Sequence, residues 1–185
     1  MRAPSKIEFE RVAVVGSSCS GKTTLARDLS HVLGVPHIEL DAVYWEANWK
    51  PRPMPDFRHL VEQAVSANRW VVDGNYATVR DLVWSRATAV VWLNYPFRLV
   101  LPRALSRTLR RAVTREELYS GNTESFRKAL FSRDSILLWV VTSFRPHQRE
   151  YAALRESRCF PQIHFWELRR PPEASQLLSL ARAAA

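Results

Sequence analysis

The stretch Gly16-Ser17-Ser18-Cys19-Ser20-Gly21-Lys22-Thr23 fits G-x-x-x-x-G-K-[ST], and that pattern leaves the flanking chain few choices of fold. Before it stands Val12-Ala13-Val14-Val15, a short apolar run of the kind a buried parallel strand shows. After it, Thr24 to Leu33 carries a helical pattern that stops at Gly34. Strand, glycine loop and helix form the context in which such a loop wraps phosphate. Glycines at 16 and 21 let the backbone curl so that successive N–H groups converge, with the helix dipole behind them. The pattern therefore predicts a nucleoside triphosphate site built from Gly16, Ser17, Ser18, Cys19, Ser20, Gly21, Lys22, Thr23 and Thr24. Lys22 supplies a point charge for the β and γ phosphates, and the Thr23 hydroxyl is placed to ligate Mg²⁺.

A chain of 185 residues with 46% hydrophobic content suggests a single domain with a proper core. No stretch approaches the roughly 18 apolar residues that span a bilayer. The greasiest segment, Ser135 to Phe144, is too short and is expected as a buried helix. The first ten residues lack the apolar region of a signal peptide. Cys19 and Cys159 read as reduced thiols rather than a disulfide framework. These points predict a cytoplasmic protein with no membrane partner.

Net charge is +9, and the basic residues are overwhelmingly arginine, since only Lys6, Lys22, Lys50 and Lys128 are lysines. Arginine's planar fork suits bidentate phosphate recognition. The excess fits either the phosphates of a nucleotide and its acceptor or a nucleic-acid surface. An arginine-rich proteome would give the same bias with no functional meaning.

Strands and helices alternate along the chain. Val35 to Leu40 reads as a second strand ending at Asp41, and 56–67 as a helix after three prolines. Arg69 to Asp73 is the third strand, 77–85 a short helix, and Ala87 to Asn94 the fourth strand. Pro96 opens a long helix to about Ala112. A polar break at 119–122 precedes further helix to about Arg155, a fifth strand at 162–168 and a closing helix at 173–183. Apolar strands separated by helices argue for an α/β parallel sheet covered on both faces, with ligands beyond the carboxyl ends of the strands.

Two carboxylates fall at such ends. Asp73 is placed to hold Mg²⁺ directly or through water. Asp41 would sit across the cleft, where it can orient an acceptor or take its proton; Glu39 is a weaker spare. Either aspartate could instead cap the segment that follows. In residues 40–53, Tyr44, Trp45 and Trp49 with Lys50 and Arg52 read as a pocket wall or as ordinary core aromatics. Arg103, Arg107, Arg110, Arg111 and Arg115 line one broad helix face with no interleaved acids, which argues for a phosphate partner.

Taken in order, G-S-S-C-S-G-K-T-T-L-A at 16–26, L-D-A-V-Y-W at 40–45, W-V-V-D-G-N-Y at 70–76, V-V-W-L-N-Y-P at 90–96 and S-G-N-T-E-S at 120–125 cover nearly the whole chain. On these motifs the chain resembles the nucleoside-monophosphate-kinase-like P-loop kinases, and within them the DNA topology modulation (FlaR-type), adenylate-kinase-related proteins. The resemblance implies a three-layer αβα fold with sheet order 2-3-1-4-5 and an ATP–Mg²⁺ donor site at the loop. It also implies an arginine-bearing lid at about 98–127, with Arg103, Arg107, Arg111 and Arg115 on it. By the same resemblance, Arg145 or Arg149 approaches the phosphates and adenine rests near Arg169-Arg170-Pro171-Pro172.

The acceptor motifs of relatives are not intact. Adenylate kinases carry G-F-P-R after the third-strand aspartate, where this chain has Gly74-Asn75-Tyr76-Ala77 and the nearest arginine is Arg80. Small-metabolite kinases carry D-x-D where this chain has Glu39-Leu40-Asp41. The expectation is an ATP-dependent phosphotransferase in which Lys22, Asp41, Arg107 and Arg111 act on the reacting groups, Arg103 and Arg115 hold nucleotide, and Thr23 and Asp73 hold Mg²⁺. The acceptor is a nucleotide or a small hydroxyl metabolite. The competing expectation is a nucleotide-gated nucleic-acid-binding protein with little transfer activity, although no base-reading element is recognisable.

Overall fold

A computed structural model describes residues 9–114, 117–122, 136–157 and 159–185. Strand β1 (Arg11–Gly16) is buried almost throughout because it is the middle strand of a five-stranded sheet. Its neighbours are β5 (Trp70–Asp73) on one side and β6 (Ala89–Leu93) on the other; β2 (His37–Glu39) and β7 (His164–Leu168) form the edges. Every pairing in this sheet is parallel. The order is β2-β5-β1-β6-β7. Counted among the strands of this sheet alone, that is second, third, first, fourth, fifth. The chain also forms a small antiparallel ladder, β3 (Trp45–Glu46) with β4 (Lys50–Pro51).

Side-chain alternation along β1 divides the core in two. Val12 and Val14 point to one face, with Leu25, Ala26, Leu29 and Leu33 of α1 (Lys22–Leu33). Ala13 and Val15 point to the other, with Phe57 and Val61 of α3 (Met54–Ala64) and Val83 and Trp84 of α4 (Arg80–Trp84). The first face is completed by Val100 and Ala104 of α5 (Phe97–Thr114) and Leu177 and Ala181 of α7 (Pro171–Ala184). These are the three layers of an α/β P-loop fold. Helix α6 (Ile136–Ser157) joins them: Val140 and Phe144 pack on the α1 side, and Tyr151 on the α3 side. It passes over the carboxyl end of β6, where Gln148 Nε2 donates to Asn94 Oδ1 over 2.7 Å.

Two expectations need correction. The second strand is only three residues long, so Asp41 lies in the short helix α2 (Leu40–Tyr44), not at a strand end. The chain turns there because Leu40 is buried against Gly74, where any Cβ would sit 2.8 Å from Leu40 Cβ. The apolar segment in α6 is not fully buried: Leu138, Trp139 and Val141 are 46%, 54% and 52% exposed. Burial follows only the Val140, Ser143 and Phe144 stripe, the one-sided spacing of a helix lying on a surface. Residues 123–135, which include the end of the expected lid, and Arg115 lie outside the described residues.

Candidate active site

The loop between β1 and α1 depends on its glycines. Gly16 has φ 145°, and a Cβ there would meet the Leu93 carbonyl oxygen at 2.7 Å. Gly21, at φ 97°, turns the chain into α1, and Cys19 is also left-handed at φ 63°. The resulting helix start has no side-chain cap and no acid in its first turn. Its first N–H groups have no intrahelical partner, and an anion is the natural cap for such an end. The Ser20 hydroxyl is buried with no partner among the described residues. These features fit a phosphate-bearing ligand in the loop.

Lys22 Nζ donates to the Ser17 carbonyl over 3.0 Å. Burial pushes its pKa down, opposed by the charges of Asp41 and Asp73 and reinforced by that of Arg107. Asp73, the last residue of β5, is 4% exposed and uses its two oxygens in two directions. Its Oδ2 accepts the Thr23 hydroxyl at 2.6 Å, and its Oδ1 lies 3.0 Å from His37 Nε2. A hydroxyl and a carboxylate brought together beside a phosphate loop suit a hard divalent cation, and Mg²⁺ fits this pair.

The turn after β5 braces the loop. The Gly16 N–H donates to Asn75 Oδ1 over 3.2 Å, while Asn75 Nδ2 donates back to the Gly16 carbonyl over 2.5 Å. The Tyr151 hydroxyl also donates to Asn75 Oδ1, over 3.0 Å, which ties α6 to the loop. One residue on, the Tyr76 hydroxyl donates to Asp41 Oδ1 over 2.6 Å. Burial, then the Asp41 charge, pushes the Tyr76 pKa far up, so this phenol remains a donor.

On α5, Arg103 Nη1 donates to the Ser20 carbonyl over 3.2 Å, and its guanidinium lies over the Tyr95 ring. Arg107 is partly buried, close enough to depress Lys22, and its Nε has no partner among the described residues. Arg111 is partly buried near Tyr119, whereas Arg110, Arg145 and Arg149 are exposed. The structure thus gathers Lys22, Thr23, Asp41, Asp73, Arg103 and Arg107 around the loop. Arg80 is engaged elsewhere, paired with Glu150 at 2.6 Å and stacked on Trp84 and Tyr151. Of the aromatic segment, Tyr44 packs edge-on against Phe57 and Trp45, the core alternative.

Sequence reasoning missed His37, Asn75, Tyr76 and Tyr151. His37 had a legible signal, since residues 37 and 39 of a strand share a face. Asn75 had been read only as the absence of an arginine.

Fold and loop together define a P-loop α/β protein with the architecture of small kinases. Solved structures similar along the whole chain include a gluconokinase from Sinorhizobium meliloti 1021, at 16% identity and TM-score 0.50, covering 100% of this chain and 93% of that one. A provisionally named kinase from Chloroflexus aurantiacus j-10-fl matches at 13% identity and TM-score 0.51, covering 96% and 99%. A sugar kinase from Janibacter sp. HTCC2649 is 21% identical with TM-score 0.47, covering 98% and 99%. At these identities the likeness is one of fold. No protein-family model and no curated protein matches the sequence.

Proposed function

We propose that the protein is an ATP-dependent phosphotransferase acting on a small hydroxyl-bearing metabolite. The observation that carries this reading is the uncapped α1 N-terminus, wrapped by the glycine loop, with the Thr23–Asp73 pair beside it. Loop N–H groups and Lys22 bind and orient the donor phosphates. Thr23 and Asp73 would hold Mg²⁺, whose chemistry in such sites is charge neutralisation at the phosphates. Asp41, fixed by Tyr76, orients the acceptor hydroxyl or takes its proton. Arg107 and Arg103 face the loop from α5 and supply positive charge where it builds up during transfer. We assign the part of 98–127 that follows the core-packed Val100 and Ala104 to a lid that excludes water on closing.

A hydroxyl metabolite is favoured over a nucleoside monophosphate because the turn after Asp73 offers no arginine to grip a second phosphate. Arg80 is committed to Glu150. The fold likeness to a gluconokinase is consistent with this choice. The finer likeness to topology modulation proteins adds no acceptor. The nucleic-acid reading is weakened because Arg58, Arg80, Arg155, Arg169 and Arg170 each pair with an acid. No helix among the described residues is long and apolar enough to cross a membrane, and Cys19 and Cys159 are not joined in a disulfide. A cytoplasmic setting accords with ATP use and cysteines outside any disulfide.

The test is a thermal-shift screen with Mg·ATP alone and with panels of polyols, sugar acids, nucleosides and monophosphates. Saturation near 100 times Kd should add about 2.7 kcal/mol. A shift with ATP that grows with a hydroxyl metabolite supports the proposal. Growth only with monophosphates would move the assignment to nucleotide kinases.

A further inference from the structure

Behind the loop-facing oxygen of Asp73 lies a second constellation. His37 and Glu39 of β2 and Asp73 of β5 bring one imidazole nitrogen and two carboxylate oxygens within 4.8 Å of one another. The strands pair in register, with Glu39 opposite Asp73 and His37 two residues earlier on the same face. All three side chains are thus carried by adjacent parallel strands rather than by loops, and the donors are preformed. His37 and Glu39 are half-buried and Asp73 is buried.

The charge balance there is unfavourable without a cation. No lysine or arginine among the described residues lies within ion-pair distance of either carboxylate, and Asp73 meets only the His37 imidazole at Oδ1 and the Thr23 hydroxyl at Oδ2 among them. Asp73 meets Thr23 through Oδ2 and His37 through Oδ1, so a cation on the His37 side need not displace the loop partner.

We propose that His37, Glu39 and Asp73 form a second cation site, distinct from the Thr23–Asp73 pair, that takes a divalent first-row transition ion of the Mn²⁺ type. Imidazole mixed with carboxylates suits such ions, whereas Mg²⁺ takes oxygen ligands throughout. The site does not depend on nucleotide, and the inference stands or falls apart from the phosphotransfer reading. The competing structural account is a His–Asp pair that only braces Asp73.

The experiment uses the untagged, nucleotide-free full chain titrated with Mn²⁺, with free ion counted by electron paramagnetic resonance. One bound Mn²⁺ per chain is expected, showing the ¹⁴N modulation of a ligating imidazole in spin-echo spectra. Excess Mg²⁺ should leave that signal in place. His37→Gln should abolish the modulation, and both His37→Gln and Glu39→Gln should weaken binding about tenfold or more. Absence of binding up to about 1 mM, the weak end for protein cation sites, would overturn the proposal. So would bound Mn²⁺ lacking ¹⁴N modulation, or modulation that survives His37→Gln. If either variant fails to fold, the wild-type modulation and its resistance to Mg²⁺ decide the matter.

Discussion

The Tyr76 hydroxyl donates to Asp41 Oδ1 over 2.6 Å, linking the turn after β5 to the first turn of α2. Tyr76 itself packs against Tyr44 and Phe57, so the donor is held by an aromatic cluster rather than by a mobile loop. Asp41 is thereby given one orientation across from Lys22, whose amine feels its charge.

Tyr76→Phe keeps the packing and removes the hydrogen bond. A lost bond to a charged group is worth about 1.5–3 kcal/mol, so transfer should fall roughly 10- to 100-fold. The Mg·ATP thermal shift should be unchanged. Steady-state kinetics on the acceptor identified by the screen checks this, and unaltered kcat would remove Tyr76 from the acceptor site.

Lys22→Ala should lower kcat by ~10²-fold or more, since a donor charge at the developing negative charge is lost. Its Mg·ATP-induced stabilisation should shrink as well. Retention of more than about a tenth of wild-type turnover would place the donor phosphates elsewhere.

Asn75 is predicted to matter for the loop rather than for the acceptor. Asn75→Ala removes two hydrogen bonds to Gly16 and the Tyr151 contact, and leaves the Gly16 N–H in need of a partner. A loss of about 1–3 kcal/mol in denaturant unfolding is expected, with weakened nucleotide binding. Tyr151→Phe should reproduce a fraction of it, measured by the same titration.

Glu167 gives a pH signature. Burial pushes its carboxyl up, but hydrogen bonds from Arg169 and Asn94 and the charges of Arg169 and Arg155 outweigh that, and its pKa falls below the ordinary 4.5. A depressed folded-state pKa means stability fully present above 4.5 and lost as pH falls through the folded value. Glu167→Gln should therefore cost stability at neutral pH and little in strong acid. Equal cost at both pH values in calorimetric melts would contradict the assignment.

The glycine loop was readable in the sequence because it is local: Gly16, Gly21, Lys22 and Thr23 lie within eight residues and dictate their own geometry. Strand positions were also readable, since Val12–Val15, Val71–Val72 and Val90–Val91 are apolar runs too short for helices, whereas the sheet order followed only from the resemblance to P-loop kinases. What remained hidden depends on register between strands. His37 reaches Asp73 only because β2 pairs with β5, and Asn75 reaches Gly16 only because β5 lies beside β1. The α6 segment misled for another reason: Leu138, Trp139 and Val141 are as apolar as Val140 and Phe144, so composition alone does not tell which side is covered.

The most direct test of the account is ADP release from Mg·ATP by the wild-type protein and Lys22→Ala in the presence of pooled hydroxyl metabolites. Release that at least one pool stimulates, and that Lys22→Ala abolishes, is the predicted result. Nucleotide binding with no acceptor-stimulated release, or release indifferent to Lys22, would contradict a phosphotransferase built on this loop.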